Sequence, residues 1–125
     1  MGETLGNLAT DIDCYSYRVP LGVCSGIAPF NFPVMIPLWM FPTAITCGNT
    51  YVLKPSERVP GSTVFLMELL QQTGLPDGVV NIVNGDKEIV DGILDNKIIK
   101  SVSFVGSSTV GEHVYKKGCY NGKRV

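Results

Sequence analysis

Two polar clusters in this sequence have residue types and spacing that could do chemistry. Ile27-Ala-Pro-Phe-Asn-Phe-Pro-Val34 sets an amide, Asn31, between two phenylalanines, and Lys54-Pro-Ser-Glu-Arg58 groups a lysine, a carboxylate and a guanidinium. Each follows a short apolar run with the character of a buried strand, residues 21–27 and 50–53. Polar residues just past the carboxyl ends of adjacent parallel strands are where an open α/β sheet holds its ligand. A cation such as Lys54 can donate to ribose hydroxyls and a carboxylate such as Glu57 can accept from them. With Asn31 nearby, the clusters suit a nucleotide beside a place where negative charge develops. The plainer reading of Lys54 to Arg58 is a solvated helix start, with Glu57 favoured there by the helix dipole.

A third cluster, Gly106-Ser-Ser-Thr-Val-Gly111, falls between an apolar run and a helical pattern. Two glycines five apart at a helix N-terminus allow backbone to approach a pyrophosphate, and the free amides there supply donors. The spacing is not the G-x-G-x-x-G fingerprint. A left-handed turn and close helix packing would also explain both glycines.

The elements that must position these clusters follow from hydrophobic periodicity and from glycine and proline punctuation. Strands are expected at 23–28, 50–53, 79–83 and 101–105. Helices are expected at 35–46, at 63–72 opened by Pro60-Gly-Ser62 and ended before Gly74 and Pro76, after the N-cap candidate Asp86, and at 107–117. Pro37 is tolerable in a first turn, whereas Pro42 removes a backbone bond and is expected to kink its helix. Strands alternating with helices over short connections give a parallel sheet with right-handed crossovers and helices on both faces, a Rossmann-like α/β fold. Gly122-Lys-Arg-Val125 reads as the opening of a fifth strand, cut short. Residues 1–10 have weak pattern and are expected to fray, while the run from Asp11 to Pro20 alternates and reads as an extended β ribbon.

Composition narrows the function classes. Charged residues make up 17% of the chain, below the usual quarter, and mean hydropathy is +0.21. That suits a strand-rich α/β core, or apolar surface meant for partner segments. The net charge is −1, and the only local basic excess is Lys116, Lys117, Lys123 and Arg124 without an aromatic platform, so nucleic acid is not indicated. Cys14, Cys24, Cys47 and Cys119 show no metal spacing and read as free thiols. The apolar stretch 32–47 is too short to cross a bilayer and carries three prolines. The start lacks a signal-peptide pattern, and Gly6 sits where a myristoylation motif wants Ser or Thr. His113 reads as an exposed helical histidine, and Trp39, Met35, Met40 and Met67 as core packing. Asp11 with Asp13, and Asp86 with Glu88, are too close in sequence for a hydrolytic acid/base pair.

Asn31 between two phenylalanines, followed about one helix later by Lys-Pro-Ser-Glu, resembles the aldehyde dehydrogenase superfamily, and the likeness runs from about Asp11 to Val125. Tyr15-Ser-Tyr-Arg-Val-Pro-Leu-Gly22, Met35-Ile-Pro-Leu-Trp-Met-Phe-Pro42 and Arg58 resemble its CoA-acylating methylmalonate-semialdehyde branch in particular. The resemblance implies an NAD-dependent enzyme with CoA as co-substrate. It implies that Lys54 and Glu57 hold the adenosine ribose, with Arg58 adding a contact. Gly106, Ser107 and Gly111 would touch the cofactor, and Ala28 and Phe30 would line its nicotinamide side through their backbone. Asn31 would be the oxyanion-hole amide. Family members are several times longer and carry their nucleophilic cysteine beyond residue 125, so this chain is expected to be most of an NAD-binding domain (residues 21–125, truncated at its C-terminus) and inactive alone. Residues 1–20 would be a tail and one strand of a projecting oligomerisation hairpin, joining a homo-oligomer, with its partner strand outside this sequence. The aldehyde substrate would be a small molecule, and the compartment the mitochondrial matrix in a eukaryote or otherwise the cytoplasm. The alternatives are a non-catalytic nucleotide-binding or subunit-interaction module, or another aldehyde dehydrogenase branch.

Overall fold

The computed structural model describes residues 2–125. Along the chain come β1 (Glu3–Ala9), β2 (Ile12–Ser16), β3 (Val23–Ile27), α1 (Met35–Thr46), β4 (Thr50–Lys54), α2 (Pro60–Gln71), β5 (Val80–Ile82), α3 (Lys87–Asp95), β6 (Ile99–Phe104) and α4 (Ser108–Tyr120). Strands β5, β4, β3 and β6 lie side by side in that order, all parallel. The chain thus steps outward from β3 through β4 to β5, then crosses back to place β6 on the other side of β3. Arg124 forms a parallel bridge with Ser101 of β6, its N–H donating to Lys100 O at 3.0 Å and its carbonyl accepting from Val102 at 2.8 Å. The residues read as the opening of a fifth strand thus make one isolated bridge beside β6.

Each face of the sheet carries its own core. On one, α1 and α2 pack with β3 and β4 through Cys24, Ala28, Ile36, Met40, Phe41, Tyr51 and Leu53. On the other, α3 and α4 cover Ile27, Ile99 and Val102 with Val90, Ile93, Leu94 and Val114. Leu53 and Leu94 are completely buried, and each such side chain stabilises the fold by roughly 1.5–3 kcal/mol relative to exposure. Gly26 sits in the central strand because nothing larger fits there. A Cβ at that position would lie 2.2 Å from Tyr51 Oη and 2.9 Å from Met40 Sδ. The Tyr51 hydroxyl is itself buried without a hydrogen-bond partner, and burial pushes the phenol well above its ordinary pKa.

Several local expectations are corrected. Residues 3–9 are not frayed: β1 pairs antiparallel with β2, so the partner of the ribbon lies within this chain. The register shifts between Leu5 and Ala9, Asn7 and Asp11 have φ of 52° and 60°, and Asn7 N–H donates to Asp13 Oδ1 at 2.8 Å. A bulge of this kind breaks the period-2 pattern and hides a strand from sequence reading. Pro42 lies inside the single element α1, and its carbonyl accepts from Thr46 Oγ1 at 2.7 Å. Trp39 is 61% exposed and Met35 is also exposed, so neither packs in the core, whereas Met40 does and Met67 packs at its margin. Because α1 is apolar on every side, its sequence gave no sign of which face turns inward. Asp86 holds the N-cap position of α3 through its carbonyl, which accepts from Ile89 and Val90, and not through its side chain. Near the C-terminus the ammonium of Lys123, only 7% exposed, donates to Asn96 O and, at 2.8 Å, to Ile99 O. Burial lowers its pKa from the usual lysine value.

Candidate functional site

Where the strand order reverses, between the carboxyl ends of β3 and β6, the chain leaves a cleft of about 530 Å³. This is the position and size expected of a ligand site in a doubly wound sheet. One wall is the backbone leaving β3, residues 27–31. The next is the turn after β4, with Lys54, Ser56, Glu57 and Arg58. The far wall is Phe104 to Ser107 with Val110 of α4, and Asp86 and Val90 of α3 close the rim. Eight of the nine residues singled out in the sequence line this one cleft: Ala28, Phe30, Asn31, Lys54, Glu57, Arg58, Gly106 and Ser107. Gly111 does not.

Lys54 ends β4 with its side chain drawn inward, and the residue is only 3% exposed. A buried ammonium must be hydrogen-bonded to be tolerated. Its Nζ donates to Pro55 O at 2.9 Å and to Glu57 Oε2 at 3.2 Å. An ammonium has three donors, so one remains for a ligand. Glu57 stays largely solvated, and its own backbone amide, then Lys54 and Arg58, hold its carboxyl below the usual range against a smaller opposing effect of burial. The carboxylate is thus an acceptor at neutral pH. The Arg58 guanidinium lies 5.1 Å from the centre of the Phe30 ring, a contact worth about 0.5–1 kcal/mol at an exposed site. Its backbone N–H donates to Ser56 Oγ at 3.3 Å.

Asn31 is exposed at the cleft mouth. The sequence also allowed it to cap a helix starting at Pro33. Instead α1 starts at Met35, its N-cap position is Val34, and no side chain caps it. The amide is left without a structural task. Ala28 N–H is committed to Lys54 O at 3.0 Å, so only its carbonyl is available to the cleft.

The two glycines near α4 are explained by packing. Their φ angles are not positive, which excludes the left-handed turn. A Cβ on Gly106 would come 2.6 Å from Phe104 Cζ, and one on Gly111 would come 3.1 Å from Phe104 Cε1. The Phe104 ring thus packs closely against both, more tightly against Gly106 than against Gly111, and only Gly106 also borders the cleft. Ser107 occupies the α4 N-cap position without a side-chain cap bond. The first amides of α4 keep their unpaired character, which suits an anion in the cleft.

Ser56, Asp86, Val90, Phe104 and Val110 were not anticipated as cleft residues. Ser56 lay inside a quoted motif. The two valines gave no signal beyond helical periodicity, since nothing in one helix tells which of its residues borders a gap between two. None of the four cysteines lines the cleft: Cys24 is buried in the α1 core, and Cys14, Cys47 and Cys119 are exposed elsewhere. His113 is half-exposed, outside the cleft, and its Nε2 meets Asp91 Oδ1 at 2.8 Å. Among the described residues no group of three His, Cys, Asp or Glu could hold a metal, and no helix is long and apolar enough to cross a membrane.

The donor set fits a dinucleotide: a spare ammonium N–H and a carboxylate for ribose hydroxyls, open helix amides for a pyrophosphate, and a cleft of adequate volume. Comparison with known proteins agrees. The model of the aldehyde dehydrogenase family matches residues 1–125. A rat mitochondrial methylmalonate-semialdehyde/malonate-semialdehyde dehydrogenase (acylating) is 59% identical over 125 residues, all of this chain and 23% of the relative. The mitochondrial methylmalonate-semialdehyde dehydrogenase (acylating) of Arabidopsis thaliana is 58% identical over the whole chain and 21% of its own length. This chain thus spans about a quarter of the length of these relatives or less. Among solved structures, the methylmalonate-semialdehyde dehydrogenase of Oceanimonas doudoroffii superposes with a TM-score of 0.95 at 57% identity, covering 99% of this chain and 25% of that one. An aldehyde dehydrogenase of Bacillus cereus in complex with NAD+ superposes at 0.92 with 32% identity, over 100% of this chain and 26% of that one.

Proposed function

Because the chain belongs to the aldehyde dehydrogenase family, we propose that it forms the NAD-binding unit of a CoA-acylating dehydrogenase acting on methylmalonate or malonate semialdehyde. The observation that carries this reading is the meeting of three sequence clusters, around Asn31, Lys54 and Gly106, in one cleft at the reversal of strand order. Residues 21–125 are the α/β unit, and residues 1–20 the hairpin and its connection.

Within the cleft, Lys54 donates its third N–H to a ribose hydroxyl and Glu57 accepts from one. Ser107 and the first amides of α4 face the pyrophosphate. Phe30, steadied by Arg58, and the carbonyl of Ala28 border the nicotinamide side. NAD, when bound, supplies the acceptor for the hydride that leaves the substrate carbon. Asn31 donates its side-chain N–H to the aldehyde oxygen as a thiolate attacks and charge grows there, a contact whose loss raises a barrier by roughly 2.7–4 kcal/mol. The thiolate does not come from Cys14, Cys24, Cys47 or Cys119, none of which borders the cleft. The CoA thiol accepts the acyl group as co-substrate, releasing the attacking thiolate, and the substrate carboxylate leaves as carbon dioxide.

Calorimetric titration with NAD tests the cofactor reading: saturable, one-to-one binding supports it, and no heat at millimolar NAD counts against it. The same protein incubated with propanal, NAD and CoA is expected to form no NADH above the blank; turnover would refute the assignment of the nucleophile elsewhere. The hairpin is the proposed subunit contact. Leu5, Leu8, Ile12 and Tyr15 on it, and Tyr17 and Val19 just after it, are all more than half exposed, an apolar surface that a lone monomer has no use for. A chain lacking residues 1–17 that assembles to the same number of subunits as the complete one would remove that role. The mitochondrial names of the relatives carry a mitochondrial proposal for this protein, checked by organelle fractionation.

A further inference from the structure

Polar contacts between α3 and α4 form a ladder. Asp91 and Asp95 stand one turn apart on α3, and His113, Lys117 and Asn121 stand one turn apart at the facing edge of α4 and its end. Asp91 Oδ1 accepts from Lys117 Nζ at 2.9 Å and meets His113 Nε2 at 2.8 Å. Asp95 Oδ2 accepts from Lys117 at 2.9 Å, and its Oδ1 from Asn121 Nδ2 at 3.2 Å. Asn121 Nδ2 also donates to Leu94 O at 2.9 Å. Both series ascend together, so the two helices run in the same direction with their N-termini at the cleft.

The first rung therefore stands beside the cleft and the second away from it. Val90, next to Asp91, lines the cleft, and so does Val110, one turn before His113. Asp91 is also the most heavily engaged carboxylate described, since Lys87 Nζ approaches its other oxygen at 3.5 Å. Hydrogen bonds from Lys117 and His113 hold it well below the ordinary aspartate range, so it remains ionised at any physiological pH.

We propose that Asp91 is a positioning residue for the cofactor: by drawing His113 and Lys117 of α4 onto α3, it fixes the gap between Val90 and Val110 and so the shape of that side of the cleft. The proposal rests on the reading of the cleft as the NAD site. Nothing in Asp91 touches the cleft directly, and its effect passes through the two valines.

The test is calorimetric binding of NAD and of 5′-AMP to the 125-residue chain and to Asp91→Asn, Asp91→Glu and Asp95→Asn, with thermal melts of each. Asp91→Asn is expected to weaken both ligands by about threefold to tenfold, the usual reach of a residue that biases a site without touching it. Asp91→Glu should recover part of that loss. Asp95→Asn breaks a rung of the same chemistry farther from the cleft, and should lower the melting temperature comparably while leaving affinity within about twofold of wild type. Unchanged affinity in Asp91→Asn, or an equal loss in Asp95→Asn, would overturn the positioning role while leaving the NAD site standing. A wild-type chain that fails to bind NAD would overturn the site and the positioning role together.

Discussion

Replacing Lys54 by methionine separates the structural task of its ammonium from the ribose contact proposed for it. The stem keeps its packing, while Nζ and its bonds to Pro55 O and Glu57 Oε2 disappear. Two effects on stability then oppose one another. The carbonyl of buried Pro55 loses a partner at about 1–3 kcal/mol, whereas the solvated Glu57 carboxylate turns to water at little cost. Against that, the chain no longer buries a charged group at 3% exposure, whose desolvation penalty offsets much of what the ion pair contributes. The net change in unfolding free energy is therefore expected within about 2 kcal/mol. Ligand affinity has no such compensation. As a charged donor to the proposed ribose hydroxyl, the third N–H would be worth about 1.5–3 kcal/mol, a loss of roughly 10- to 150-fold. Calorimetry with NAD, 5′-AMP and nicotinamide mononucleotide reads it directly. The first two share the adenosine ribose and should weaken by the same factor, whereas the third should not change. A folded Lys54→Met chain that binds NAD and 5′-AMP as tightly as wild type would refute the ribose assignment.

Gly26→Ala is expected to destabilise the chain by about 1–3 kcal/mol in urea denaturation, as overpacking against Tyr51 and Met40 does. Tyr51→Phe removes the atom nearest the added methyl together with an unpaired buried hydroxyl, so the double variant should lose less than Gly26→Ala alone. Simple additivity would show that the contact is not the cause. In a catalytically competent relative-length enzyme, Asn31→Ala should lower kcat by about 100- to 1,000-fold while NAD affinity holds, and a matching loss in NAD affinity would assign Asn31 to binding instead. Acid stability has a definite sign. Glu57 and Asp91 both have folded-state pKa values below their ordinary ones, so their contribution is present above the unfolded values near 4 and lost as pH falls through the folded ones. Asp91→Asn should flatten the fall in melting temperature below about pH 4, and parallel acid profiles for the two proteins would refute the linkage.

The fold class and the cleft were largely legible in the sequence, because strand, turn and helix there agree at every level. Lys54 ends an apolar run, Ser107 opens a helix, and parallel topology brings the ends of β3, β4 and β6 together. What was not legible has physical causes. The bulge between Leu5 and Ala9 erased the alternation that would have revealed β1. Helix α1 is apolar all round, so the outward face bearing Trp39 carried no polar mark. The role of Gly111 depends on where the Phe104 ring lies, which is a tertiary fact. The ladder joining α3 to α4 pairs residues more than twenty apart, and its side chains look like ordinary helix-surface charge until the two helices meet.

The burial of Lys123 changes what a protease would see. In the unfolded chain Lys123-Arg124 is an open tryptic target, two adjacent basic residues. In the folded chain the Lys123 ammonium is occupied by Asn96 O and Ile99 O, and Arg124 is stitched to β6 by its backbone. Arg18 is the reverse case. It is exposed, belongs to no strand, and lies on the stretch between the hairpin and β3. Brief digestion should therefore clip at Arg18 first and release the hairpin, leaving an α/β body whose C-terminal basic pair survives because the Lys123 ammonium and the Arg124 backbone are tied into the fold.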